Sequence, residues 1–464
     1  EIKHCAMRLV RLLLVSAVLF ACTGAQAQEI VYKYRVYLKD KKESPYKKSR
    51  PLEFLSQKAL DRRAKWKIKI DDKDLPVSPA YLSKLAVNGT KVLCMSKWNN
   101  TVLVQNTDSA KLEALAGLPF VSKVQKVFAG TLYEYPDDIK EKRLAEIKDS
   151  LAHSATFYGA SFDQVHQLNG TLLHNAGFRG KGMTIAIIDG GFHNADAMKL
   201  LDNVKILGTH NFVRPNQSVY DENSHGMSVL SCIGANKPNV LVGTAPEAEF
   251  WLLVSEDSYS ETPAEEDYWA AAVEYADSVG ADVVNTSLGY NDFDDDSMNV
   301  KYCELDGKSR LNSRSASLAA SRGLMLVHSA GNSGNDSWKL ITPPADAFDV
   351  ITVGAVVRSG ENTLFSSLGN TADGRIKPDI MAMGQASAVA RSDGQVGHAS
   401  GTSFSSPITA GMVACLMQAL PEYKPEEIID LLHKCGNYSE HPNNIYGYGI
   451  PDYWEAYLKG RYRK

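Results

Sequence analysis

Ser403 stands in HASGTSFSSP (398–407), between small residues and just ahead of the apolar run ITAGMVACLMQAL. A serine there has two readings. It caps a buried helix, or it is a nucleophile held at a helix N-terminus, where the dipole and free N–H groups favour negative charge near its oxygen. Gly401 permits close approach of another backbone, and Pro407 suits the first turn of a helix, where its missing N–H does no harm. Three further residues could join Ser403 in acyl-transfer chemistry. Asp189 closes the apolar run MTIAIID and is followed by Gly190 and Gly191. Taken alone it is a strand-end carboxylate capping a turn. His225, in NSHGMSVLSCIGA, follows a polar loop and opens a small, apolar helical stretch, which puts an imidazole at the exposed end of a buried element. Asn332, in HSAGNSG, is a turn residue by default; its amide could also be aimed at a developing oxyanion.

Other chemistries lack their residues. No Gly-x-Gly-x-x-Gly cradle follows the strand ending at Asp189, so dinucleotide binding is excluded there. No Cys-x-x-Cys or His-Glu-x-x-His spacing supports zinc. Gly-x-Ser-x-Gly, the nucleophile turn of α/β-hydrolases, is broken by Ser405. A formal net charge of −4 leaves no nucleic-acid footprint.

The elements that must position these residues fall into two grammars. The 464 residues, 44% hydrophobic and 22% charged, suffice for a large domain plus a smaller one. From about 166 onward, MTIAIID (183–189), AEFWLLV (248–254), ADVVNTS (281–287), GLMLVHS (323–329) and DVITVGAV (349–356) are nearly continuous apolar runs. Such strands are buried on both faces, as in a parallel sheet. Helical stretches at 264–280 and 311–323 alternate with them, which predicts an α/β, doubly wound, mainly parallel sheet with its ligands at the carboxyl ends of the strands. Residues 28–133 read differently. Strands at 31–38, 91–96, 100–106 and 120–127 and helices at 79–89 and 108–118 give β-α-β-β-α-β, a small α+β ferredoxin-like unit. An insertion at about 40–75 carries a helix in LEFLSQKALDRRAKW. Residues 134–165 are polar and charged and read as a linker, which leaves 166–464 to the larger domain.

Residues 1–27 read as an export signal. Met7 is taken as the start; Arg8 and Arg11, an apolar run from Leu12 to Ala21 and the small-x-small triplet Ala25-Gln26-Ala27 follow in the order such a signal requires. The run is too short to span a membrane. Leu19-Phe20-Ala21-Cys22 offers the alternative of a lipid on Cys22, but Phe20 fits that box poorly. Cleavage after Ala27 and a secreted or envelope protein are expected. Five cysteines lie beyond Cys22 (Cys94, Cys232, Cys303, Cys415 and Cys435), a sparse odd set that reads mainly as small buried hydrophobes, with any bridge left open.

Taken together, IIDGG, SHGMSVLSCIGA, SAGNSG and GTSFSSP resemble the four signature segments of the subtilisin-like serine peptidases (subtilases, family S8), over about residues 166–456. The chain order Asp, His, Ser is that of the family. The resemblance implies that Ser403 attacks the scissile carbonyl, His225 moves the proton, Asp189 orients the imidazole, and Asn332 helps hold the oxyanion. It also implies that Ser287-Leu288-Gly289 pairs with substrate backbone as an added strand, and that Ser329-Ala330-Gly331 forms the other wall of the specificity pocket. The 28–133 unit resembles an inhibitory propeptide that acts as an intramolecular partner, with cleavage between about Phe128 and Tyr158. The chemistry requires no cofactor and no metal ligand set. Three departures stand out. Gly190 replaces a commoner Thr or Ser. Tyr290 follows Ser-Leu-Gly, where a ring would narrow the cleft. The segment Asn291–Gly307, with Asp292, Asp294, Asp295 and Asp296, reads as a solvated acidic loop; structural calcium there is an option that nothing else supports. The expectation is a secreted serine endopeptidase acting on peptides or proteins. The alternatives are a catalytically silent peptide-binding scaffold on the same fold and an ester hydrolase.

Overall fold

Residues 30–132 and 157–462 are described by the computed structural model. Residues 1–27, read as an export leader, with Cys22 and Ala27, and most of the stretch read as a linker lie outside the described residues.

In the N-terminal unit, four antiparallel strands lie in the order Lys91–Ser96, Thr101–Asn106, Ile30–Leu38, Val121–Thr131. Side chains alternate across the Thr101–Asn106 strand, and both faces are used. Val102 and Val104 pack with Tyr34, Tyr81, Leu85, Leu112 and Phe120 beneath the unit's own helices. Leu103 faces the other way and joins Trp98, Phe128, Tyr268 and Ala272 in a cluster that continues into the larger domain. The unit therefore shares a core with that domain. Helix Gln57–Lys65, within the expected insertion, starts at Ser56, whose hydroxyl accepts from Ala59 N at 3.2 Å.

The larger domain is built on a seven-stranded sheet in the order Ile380–Met383, Ile351–Val356, Met325–Ser329, Val283–Thr286, Thr184–Asp189, Glu249–Val254, Lys205–Asn211. Every neighbouring pair is parallel. The continuous apolar runs follow from helices on both faces. Ile185 and Ile187 pack with Met227 and Ile408, from helices His225–Gly234 and Thr402–Ala419. Ala186 and Ile188 pack with Trp269 and Ala316, from helices Ala264–Val279 and Leu311–Ser321. Strand order reverses between Thr184–Asp189 and Val283–Thr286, and a ligand site is expected at the carboxyl ends flanking that point.

The five expected strands of the larger sheet are present, and both edge strands are additions. Lys205–Asn211 is half exposed, contains Gly208 and carries a bulge, so it has no apolar run; Ile380–Met383 has only four residues. Pro407 is not in the first turn. The helix starts at Thr402, with Gly401 as its cap, so the proline is interior. The end of the stretch read as linker is also packed. Tyr158 and Ser161 are buried, and the Ser161 hydroxyl donates to Val242 O at 2.7 Å. Among the described residues no helix is long and apolar enough to cross a membrane.

Candidate functional site

Period two along the Thr184–Asp189 strand decides where its last side chain goes. Asp189 follows Ile185 and Ile187 on the face that carries helices His225–Gly234 and Thr402–Ala419. Those two helices begin with His225 and, one residue in, Ser403. Asp189 is fully buried, and its Oδ1 lies 2.8 Å from His225 Nδ1 and accepts from Gly190 N at 2.8 Å. The helix approaches this closely because its second residue is Gly226: a Cβ there would fall 2.6 Å from Gly191 O and 2.8 Å from Asp189 Cβ. About a third of the His225 side chain is exposed (33%), which leaves the imidazole open to a substrate. Burial by itself would lower the imidazole pKa. The Asp189 charge and hydrogen bond, with Glu256 adding to them, outweigh that, and the value is raised above 6.5.

Ser403 reaches the same place by the same periodicity. Val283, Asn285 and Ser287 face the Thr402–Ala419 helix: Ser406 Oγ donates to Asn285 Oδ1 at 2.8 Å, and Ser287 Oγ donates to Ser403 O at 2.9 Å. Pro407 explains the second bond. Four residues after Ser403, it has no N–H to give the Ser403 carbonyl, and Ser287 supplies the missing donor. Ser403 Oγ in turn donates to Ser287 O at 3.3 Å. The ring of Phe404 lies 5.8 Å from that of His225, so imidazole and helix start are neighbours.

Asn332 follows the Met325–Ser329 strand. Its Oδ1 accepts from Thr402 N at 2.8 Å and from Thr402 Oγ1 at 3.1 Å. With the acceptor end fixed by a backbone N–H, the donor end, Nδ2, lies beside Gly401 at the Ser403 helix start, 3.5 Å from where a Cβ on that glycine would fall. Thr402 Oγ1 also accepts from Gly331 N at 3.2 Å. The sequence reading gave Thr402 no role; its place between Gly401 and Ser403 was the only available signal. Ser287, Ser329 and Ala330 are buried at the ends of adjacent strands, with Leu288 and Gly289, and Gly331, continuing from them. All ten candidate residues thus gather at one end of one sheet.

One expectation changes. Tyr290 does not line a cleft. It is fully buried, and its hydroxyl donates to Glu256 Oε2 at 3.2 Å. The acidic loop does not pool its carboxylates: Asp292 accepts from Asn299 and Asp295 from Ser297. Among the described residues only Glu256, Glu261 and Glu265 bring three carboxylate oxygens within 4.8 Å of one another. Burial pushes Glu256 up to about 7, Glu261 up to about 8 and Glu265 well above the carboxylate range. The trio therefore retains protons near neutral pH, which relieves its mutual repulsion. The five cysteines among the described residues are all free, and of these only Cys303 is exposed.

Residues 180–449 match the family model described as "Subtilase family", and residues 33–143 match the one described as "Peptidase S8 propeptide domain, Bacteroidota". Subtilisin NAT of Bacillus subtilis subsp. natto is 28% identical over 329 residues, 68% of this chain and 78% of that protein. Serine protease AprX of Bacillus subtilis (strain 168) is 30% identical over 302 residues, 58% of this chain and 65% of that protein. Among solved structures, the MycP3 protease from the type VII (ESX-3) secretion system superposes with a TM-score of 0.53 at 20% identity, covering 68% of this chain and 91% of that one, a likeness of fold.

Proposed function

The chain belongs to the subtilase family, a subtilisin-like serine peptidase with an S8 propeptide domain, and we propose that it is an exported endopeptidase made as a self-inhibited precursor. The observation that carries this reading is the 2.8 Å contact of His225 Nδ1 with buried Asp189, beside a helix start that presents Ser403. Asp189 holds the imidazole with Nε2 free to act as base and stabilises its charged form. Ser403 rotates from the Ser287 carbonyl toward His225, loses its proton to Nε2 and attacks the scissile carbonyl. The resulting oxyanion is held by Asn332 Nδ2 and the Ser403 N–H, at the positive end of an 18-residue helix. His225 then gives its proton to the leaving amine, and water repeats the sequence on the acyl-enzyme. The reaction requires no cofactor.

Rotation of Ser403 also frees the Ser287 carbonyl to accept a substrate N–H, so Ser287-Leu288-Gly289 acts as an edge to which peptide backbone adds, with Ser329-Ala330-Gly331 as the facing wall. Residues 1–27 act as the export leader, 28–133 as the inhibitory partner and 166–464 as the catalytic domain, with the cut in 134–165 or its margins. Support for the inhibitory role comes from the end of the Val121–Thr131 strand: residues 126–131 share a crevice with Tyr259–Pro263, a few residues beyond Glu256, whose charge acts on His225.

The test is intact mass of the purified full chain over time, beside Ser403→Ala. The expected result is a split between Phe128 and Tyr158 in the wild type, an intact variant, and fluorophosphonate labelling of Ser403. Whole chains without labelling would replace this reading with a silent peptide-binding scaffold.

A further inference from the structure

Three segments meet beside Ser403. Ser287–Gly289 and Ser329–Gly331 continue two adjacent strands, and Ile341–Ala345 ties them together. Thr342 N donates to Ala330 O at 3.2 Å, and Tyr290 N donates to Pro343 O at 3.0 Å, so the third segment is hydrogen-bonded to both of the others. Its side chain at 342 lies between them. A Cβ built on Gly289 would fall 2.0 Å from Thr342 Oγ1 and 2.9 Å from Thr342 Cβ; one built on Gly331 would fall 3.0 Å from Oγ1 and 3.2 Å from Cγ2. Real Cβ atoms essentially never come within 3.0 Å of a neighbour, so neither position has space for a further methyl. Ser367 Oγ lies 2.8 Å from the same point at Gly331 and closes another side. Thr342 is only 4% exposed, and its Oγ1 is buried with no hydrogen-bond partner among the described residues. A buried hydroxyl left unpaired is uncommon and calls for an explanation.

We propose that Thr342 forms the floor of the slot between Gly289 and Gly331 and restricts the residue before the scissile bond to glycine, alanine or serine. This rests on the peptidase reading above, because it assigns those two segments as the walls of that slot. The argument is steric and then chemical. A glycine at 342 would leave the slot open behind both walls, whereas the threonine places Cβ, Oγ1 and Cγ2 there. An aromatic or large branched side chain would have to displace those atoms, and the Ala330 and Tyr290 hydrogen bonds hold the segment against both walls. A methyl or hydroxymethyl group needs no such displacement. The unpaired Oγ1 gives an entering serine hydroxyl a partner, which accounts for a polar atom at the end of the slot.

The experiment profiles every bond that the processed enzyme, prepared from the full chain, cuts in an unfolded protein, by mass spectrometry. Fluorophosphonate labelling runs in parallel. Cuts after Gly, Ala and Ser should exceed those after Phe, Tyr and Leu by about tenfold or more per available site. Matched tetrapeptide substrates ending in Ala or Phe then give kcat/KM for the wild type, Thr342→Ser and Thr342→Gly. The Ala-over-Phe ratio should hold in Thr342→Ser, which keeps the hydroxyl. In Thr342→Gly it should fall by about 10–200-fold, through a gain on Phe. A wild-type enzyme that labels and cuts as well after Phe or Leu as after Ala overturns the inference, and that profile decides even if Thr342→Gly does not fold. An unchanged ratio in Thr342→Gly also overturns it. Absence of both labelling and cutting overturns the peptidase reading and this inference with it.

Discussion

Arg35 is the sharpest place to test how the two units are held together. It lies on a strand of the N-terminal unit, and its guanidinium crosses to the larger domain. Nε donates to both Asp267 oxygens at 2.9 and 2.8 Å, and Nη2 donates to Pro263 O at 2.9 Å and Glu266 Oε2 at 3.2 Å. All three charged side chains are buried; Asp267 is 3% exposed. Glu266 has a second cation, Arg310, whose Nε donates to Oε1 at 2.7 Å. Asp267 has no other ion pair among the described residues. Arg35→Met therefore strands one buried carboxylate, a loss of the order of 3–5 kcal/mol, or about two to three and a half decades in an equilibrium constant.

The readout is built into the interface. Lys97 N and Trp98 N donate across it to Glu274, at 2.7 and 3.0 Å, so their exchange with solvent deuterium reports undocking. In the full chain carrying Ser403→Ala, which removes the proposed self-cleavage, Arg35→Met should lower their protection by that factor at pH 8. Adding Asp267→Leu should restore most of it, because an apolar pair removes the stranded charge. Burial already raises the Asp267 pKa against the pull of Arg35, so without Arg35 it takes up a proton more readily, and the loss should shrink toward pH 5. A loss under tenfold at pH 8, or a double variant as unprotected as the single one, would refute the reasoning.

Three other outcomes follow from the geometry. Asn332→Ala should lower kcat by about a hundred- to a thousandfold with little change in KM, a size known for such an amide in a subtilisin; a change confined to KM would remove Asn332 from the oxyanion. His225 must be neutral to act as base and its pKa is raised, so the acidic limb of kcat/KM should lie above pH 6.5; a limb at or below that value contradicts the Asp189 contact. His328 is buried, and burial lowers its pKa to about 4, so between pH 6.5 and 4 the unfolded chain binds a proton that the native state does not. Stability is then lost on acidification through that window, by up to about 3 kcal/mol, and His328→Gln should unfold with a shallower dependence on pH there than its parent, both in the Ser403→Ala background.

What the sequence made legible was local. A strand buried on both faces is an unbroken apolar run, and period two then carries Asp189 to the face of its partners. The Gly-Thr-Ser run before an apolar helix marks Ser403. The Lys205–Asn211 edge was hidden because one side of it meets solvent and it needs no apolar run. Tyr290 was misread as a cleft residue because its direction is set by Glu256, 34 positions earlier in the chain, and by the hydrogen bond to Pro343. Thr342 gave no signal, because its role exists only where two glycines from other strands close around it.

Pro407 shows how far one residue can reach from a place the sequence reading put wrongly. In the first turn it would be a neutral helix starter. In the interior it removes the donor that Ser403 O would otherwise have, at the residue whose hydroxyl is proposed to react. The vacancy is filled by Ser287 Oγ, from the strand next to the one that carries Asp189. A helix broken at that one bond is thereby tied to the sheet where the strand order reverses, and Thr402 ties its first turn to Asn332, three residues past the end of the next strand. The Ser403 position is thus fixed by side chains just past the ends of two strands in addition to its own helix. Precise placement of a nucleophile on rigid elements is what acyl transfer demands. The proline, which as a helix former is unfavourable, makes that attachment possible.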